Sequence, residues 1–212
     1  MKNFKNRLKF HPPGLAPVED ETGLYHIDIH ENAVYAQRYK RVFGYYDNLA
    51  AVTDLEGNCF HIDTSGHRIY SESYAFCGNF QEEKCVVRDW SDHYFHIDRT
   101  GKRLYSKNYR YVGDFKDGFA CVMLQNGLYK HIDANGEFIN DKTFIDLGVF
   151  HKGFATAKDE KGWFHIDKNG DALYSNRYLM IEPFYNGFAL VTTFDFGKEI
   201  IDEEGRGILT VK

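Results

Sequence analysis

Residues 94–122 read YFHIDRTGKRLYSKNYRYVGDFKDGFACV, and variants of this line recur along the whole chain. The marker HID starts at His26, His61, His96, His131 and His165, in steps of 35, 35, 35 and 34 residues. One further step of 35 reaches IID at Ile200, so the sequence contains six copies, the last with isoleucine in the histidine slot. Self-similarity at a fixed period of this size is the mark of a repeat architecture.

Other residues recur in phase. Ahead of each marker lies a GFAxV-like segment whose third residue is always small: Ala16, Ala50, Cys85, Ala120, Ala155 and Ala189. Before that comes an aromatic pair, read as Phe4 and Phe10, Tyr39 and Tyr46, Tyr74 and Phe80, Tyr109 and Phe115, Phe144 and Phe150, and Tyr178 and Phe184. The repeats therefore run approximately over 4–38, 39–73, 74–108, 109–143, 144–177 and 178–212, as one repeat domain spanning 1–212. Asp63, Asp98, Asp133, Asp167 and Asp202 are each followed three residues later by glycine. That spacing fits a type I turn closed by a left-handed glycine, a common three-residue hairpin. Only the first repeat departs, with DIHEN in this place, and Asn126-Gly127 reads as a two-residue hairpin signal. No segment shows sustained helical periodicity.

Each repeat thus reads as four short strands. A meander of that length buries too little apolar surface to fold alone, but neighbours stacked against it complete a core. The expected fold is all-β: six tandem β-meander repeats forming a closed six-bladed propeller-like ring, with an open β-solenoid as the alternative. The first and last repeats resemble the middle ones, and the sequence closes on the apolar GILTVK, where an open stack would want polar caps. A closed ring predicts a compact particle in solution scattering, and an open solenoid an elongated one.

The composite pattern GxxHIDxxGxxLY…Y…VGxFxxGFAxV resembles the bacterial WG-type repeats, also called KWG or Leptospira repeats. KGWFHID at residues 161–167 matches them best, and the other copies replace the tryptophan. The resemblance implies a β-rich bacterial module, found alone or attached to catalytic domains such as methyltransferases. It brings no catalytic motif and names no ligand.

The chain has 212 residues, a net charge of −5 and no basic run, so the electrostatic footprint of a nucleic-acid binder is missing. No apolar stretch is long enough to span a membrane. The opening MKNFKNRLKF lacks the apolar core of a secretory signal. Cys59, Cys77, Cys85 and Cys121 match no CxxC pattern and read as reduced, buried thiols. A cytoplasmic protein is expected, although secretion without an N-terminal signal would leave no trace here.

The candidate binding residues are of two kinds. His26, His61, His96, His131 and His165 hold equivalent positions and form a ring of imidazoles if the repeats close; the competing reading is one structural hydrogen bond copied five times. Trp90 and His93 lie in RDWSDH, residues 88–93, where the neighbouring repeats carry a tight glycine turn. A tryptophan at a loop tip is a plausible contact residue. Departures also occur at HPPG, EDET and TTFDFGKE in the first and last repeats. No GxSxG, P-loop, dinucleotide, HExxH or CxxC pattern is present. No cofactor, metal or catalytic residue is expected. The reading is a non-catalytic scaffold or accessory module for a protein partner; the alternatives are a small-ligand or carbohydrate-binding propeller, and an enzyme with a site at the ring mouth.

Overall fold

The computed structural model describes residues 4–211 and is all-β, with no helix among the described residues. Strands β1 (Asn6–Arg7), β2 (Ala16–Asp20) and β3 (Gly23–Ile27) form the first antiparallel sheet. β4 (Arg41–Val42), β5 (Ala50–Thr53) and β6 (Cys59–Ile62) form the second; β7 (Phe76–Gln81), β8 (Lys84–Arg88) and β9 (Tyr94–Asp98) form the third. β10 (Tyr111–Val112), β11 (Ala120–Met123) and β12 (Tyr129–Ile132) make the fourth; β13 (Asp146–Leu147), β14 (Ala155–Asp159) and β15 (Gly162–Ile166) make the fifth. The sixth has four strands: β16 (Met180–Ile181), β17 (Phe188–Thr192), β18 (Lys198–Asp202) and β19 (Gly207–Val211). There is one sheet per repeat, each made of consecutive strands. The chain divides into two compact halves, Met1–Asn108 and Tyr109–Lys212. The division falls between the third and fourth repeats.

Only the sixth repeat has the four strands expected of every repeat. In the others the segment after the glycine turn touches the sheet at isolated bridges, such as Ile62↔Arg68, and Cys59↔Tyr74 at the start of the next repeat. In the first three repeats an arginine takes up carbonyls of this segment. Arg68 donates to the carbonyls of Tyr70, Ser71 and Glu72 at 2.7, 2.5 and 2.6 Å. Arg38 does the same to Ala36 and Gln37, and Arg103 to Tyr105 and Lys107. A guanidinium with five donors takes the carbonyls that a regular strand would give to its neighbour. In the sixth repeat Leu209 pairs with Ile200 and Val211 with Lys198 in a continuous ladder, with a register shift between Ile200 and Ile201.

The HID marker becomes intelligible in this frame. Adjacent strand residues point to opposite faces. Isoleucines 27, 62, 97, 132, 166 and 201 are fully buried on one face. Each pairs across the strands with the small residue of the GFAxV segment, as in Ala50↔Ile62 and Cys85↔Ile97. A small side chain opposite isoleucine keeps that layer thin. The histidines point to the other face and are buried too, at 0–3% exposure. A sheet covered on both faces reads as continuously apolar rather than alternating. The following aspartate turns the chain: Asp63 Oδ1 accepts from the backbone N–H of Ser65 and His67, both at 2.9 Å, and Gly66 follows at φ +81°. In the first repeat Glu31 holds the glycine slot at φ +64°.

Two local readings need correcting. The inward aromatic of the second repeat is Tyr45, 2% exposed, and not Tyr46, which is 49% exposed. Tyr45 restores the six-residue spacing to Tyr39. The Asn126-Gly127 turn is a three-residue hairpin like the others, with Leu124 N–H on Leu128 O and Gly127 N–H on Leu124 O.

Candidate functional site

The five histidines come first because they recur. Tyr35 Oη–H donates to His26 Nδ1 at 2.5 Å, and His26 Nε2–H donates to the Phe43 carbonyl at 2.7 Å. A carbonyl has no proton to give, so Nε2 carries the hydrogen and Nδ1 is the acceptor. His61 repeats this with Tyr70 and the Gly78 carbonyl, and His165 with Tyr174 and the Glu182 carbonyl. His96 takes the hydroxyl of Tyr105 at 2.6 Å. In each complete case the tyrosine belongs to the same repeat and the carbonyl to the next. The next repeat also supplies a ring against the imidazole: Tyr45 at 4.6 Å from His26, Phe80 at 4.7 Å from His61, Phe150 at 4.4 Å from His131, Phe184 at 3.8 Å from His165.

His26, His61, His131 and His165 are therefore fasteners between repeats. Burial depresses His26, His61, His131 and His165 to about 4, with the carbonyl hydrogen bond opposing the shift, so they are neutral near pH 7. Each is buried within its own sheet at 0–3% exposure, with its ring away from solvent. Among the described residues, no three His, Cys, Asp or Glu side chains are placed to hold a metal ion.

His131 departs from the pattern. Its Nε2–H reaches the Gly148 carbonyl at 2.8 Å, but its buried Nδ1 has no hydrogen-bond partner. The tyrosine slot, nine residues after each histidine, is Asn140 here. In the sixth repeat both members change together, to Ile200 and Leu209.

The other candidates, Trp90 and His93, sit on the turn between β8 and β9. Trp90 is 63% exposed. Its turn is well anchored: Asp89 Oδ1 accepts from Ser91 N–H at 2.8 Å and from His93 N–H at 2.9 Å. Asp92 occupies the glycine slot at φ +61° and pairs with Arg88. His93 Nδ1 lies 3.4 Å from Asp89 Oδ2. Partial burial alone would raise Asp89, but the His93 and Ser91 amides outweigh it and hold the carboxyl below its ordinary value. Trp90 thus projects from a fixed base with charged groups around it.

Comparison of equivalent turns adds a residue that the sequence reading passed over. Asp54 accepts from Asn58 N–H at 2.7 Å and closes the same turn one repeat earlier. Leu55 holds the Trp90 slot there and is 71% exposed. Consecutive repeats of the first half thus present Leu55 and Trp90 at the same end of their sheets. In the second half, the TTFDFGKE turn exposes Phe194 at 57% and Phe196 at 77%. The signal for Leu55 was available: it is an apolar residue at a turn tip, one repeat period before Trp90.

The cysteines are free and buried. Burial pushes Cys121 up to about 12 and Cys77 well above the usual thiol range; a hydrogen bond with the Cys77 thiol lowers Cys59.

These features define a class: an all-β repeat protein of propeller-like sheets, fastened repeat to repeat by buried imidazoles, with function to be sought at its turns. Solved structures agree on the fold. The chain is similar to the computationally designed Ika8 protein, with a TM-score of 0.60 at 10% identity over 98% of this chain and 74% of that one. It is similar to BamB from Moraxella catarrhalis (0.54, 14% identity, 93% and 70%) and to Hsv2 from Kluyveromyces lactis (0.53, 12%, 96% and 79%). BamB and Hsv2 are propellers, and at this identity the likeness shows the fold alone. Residues 96–129 match the family of WG containing repeats. The resemblance read from the sequence therefore holds for that stretch, which runs from His96 into the fourth repeat. No curated protein sequence matches the chain.

Proposed function

We propose that this chain is a non-catalytic protein-binding module of the bacterial WG-repeat type, and that its contact surface is the row of turns carrying Leu55, Trp90 and His93. The observation that carries this reading is the exposure of Trp90 on a turn already fixed by Asp89. A large aromatic held in place loses little conformational freedom on binding, and tryptophan is enriched among residues that dominate interface energy. Leu55 holds the same turn position in the preceding repeat and is also exposed, and Arg88, Asp92 and His93 surround Trp90 on its own turn. The cytoplasm is the compartment proposed, supported by the four free cysteines.

The test is affinity purification from source-cell lysate with wild type and Trp90→Ala in parallel, followed by titration of any enriched protein. The expected result is one protein retained by wild type and weakened at least ~10-fold by the substitution, about 1.4 kcal/mol. Equal capture by both sinks the assignment of Trp90. If no protein is captured, the weight shifts to a small ligand or glycan, and a ligand screen becomes the next measurement.

A further inference from the structure

The sixth sheet presents an apolar face that its counterparts keep covered. Phe188, Leu190, Ile200 and Leu209 lie on that face by register, since Leu190 pairs with Ile200 and Ile200 with Leu209. In the fifth repeat the same slots are Phe154, Thr156, His165 and Tyr174. There the next repeat closes over them: Phe184 lies 5.7 Å from Phe154 and 3.8 Å from His165. In the sixth repeat Phe188 is 47% exposed and Leu209 59%. Met180 and Val211 extend the same face at 64% and 38%. Three polar members of the fifth-repeat face, Thr156, His165 and Tyr174, have become leucine or isoleucine here. A face turned to water does not gain from that exchange, whereas one that meets an apolar surface does.

The first repeat carries the matching half of the repeat-to-repeat interface. Stepping back by 35 from Tyr45, Phe80 and Phe115 gives Phe10. Tyr45, Phe80, Phe115, Phe150 and Phe184 are 0–4% exposed, but Phe10 is 41% exposed and Leu8 beside it 53%. The surface that covers a preceding repeat elsewhere is open here.

We infer that the Phe188, Leu190, Ile200 and Leu209 face of one copy seats the Leu8 and Phe10 face of a second copy, head to tail. The occupant follows from continuity: the contact continues the stacking already made between successive repeats, with apolar packing replacing the histidine fastener. Such a contact is heterologous, so it builds rings or open chains rather than closing on itself as a two-fold dimer.

The experiment is sedimentation velocity on the full chain over a range of concentrations, for wild type, Leu209→Lys and Phe10→Lys. Both side chains are exposed, and circular dichroism checks that each variant is folded. Wild type is expected to gain mass with concentration, and each variant alone to stay monomeric. An equimolar mixture of the two variants retains one intact head and one intact tail, so it should form dimers and nothing larger. A wild type that is monomeric throughout overturns the inference, as does association that survives either substitution or a mixture that stays monomeric. Trp90→Ala should leave association unchanged, which separates this surface from the partner-binding turns.

Discussion

Tyr70 and His61 make the smallest complete fastener, and the chain supplies its own comparisons. In the fourth repeat the tyrosine is Asn140 and the imidazole nitrogen of His131 is left without a partner. In the sixth, both polar members are replaced at once by Ile200 and Leu209. A buried group without its partner costs the desolvation of that group, whereas removing both partners can be nearly neutral. Tyr70→Phe should therefore destabilise by about 1–3 kcal/mol, since it leaves His61 Nδ1 unsatisfied. Asn140→Tyr should stabilise by about 1 kcal/mol by completing the fourth fastener. Urea unfolding of both variants against wild type measures the two changes, and a stabilising Tyr70→Phe would contradict the assigned hydrogen bond.

At the scale of the hairpin, two glycines with the same backbone sign have different surroundings. Gly57 and Gly101 have φ of +96° and +79°. A Cβ on Gly57 would meet nothing within 4 Å, whereas one on Gly101 would lie 2.6 Å from the Tyr70 ring. Gly57→Ala should cost about 1 kcal/mol, the backbone penalty alone. Gly101→Ala should cost about 1–3 kcal/mol more, because the ring of the preceding repeat must move. Equal losses in melting experiments would show that the tyrosine does not press on the turn. The glycine, its turn and the 35-residue period were legible in the sequence, because the left-handed position favours glycine and takes it in five of the six copies. The partner of that glycine was not legible, since Tyr70 and Gly101 are 31 residues apart and meet only through stacking. The arginine contacts were hidden for a similar reason: nothing in the spelling of RLY or RIY says that the guanidinium will reach the carbonyls two to four residues on. At the candidate site Trp90 was visible as an odd residue in a regular slot. Leu55 stood at the same turn tip one period earlier, but a lone leucine there is a weaker signal than a tryptophan until its 71% exposure is known.

Over the whole molecule the fasteners add up, and they do so in one pH window. His26, His61, His131 and His165 fall to about 4 in the folded protein because burial disfavours their charged form. In the unfolded chain they titrate near the ordinary histidine value of about 6.5. Between those limits the unfolded state binds protons that the native state refuses, so stability rises with pH across the window and is fully present above it. Taking the protein from pH 7 to pH 5 should cost about 2 kcal/mol per histidine, and about 8 kcal/mol for the four, which is comparable to the stability of a whole domain. Asp89 and Asp98 are held below the ordinary carboxylate value, so their contribution is lost only at still lower pH and does not mask the effect. The protein should therefore unfold steeply as the pH falls towards 5. The double variant His61→Ile, Tyr70→Leu copies the solution of the sixth repeat and removes one titrating group without leaving a buried orphan. It should lower the slope of unfolding free energy against pH by about 1.4 kcal/mol per pH unit between pH 4.5 and 6, one proton's worth. Urea titrations at several pH values give that slope directly, and a slope identical to wild type would remove His61 from the acid-sensitive set.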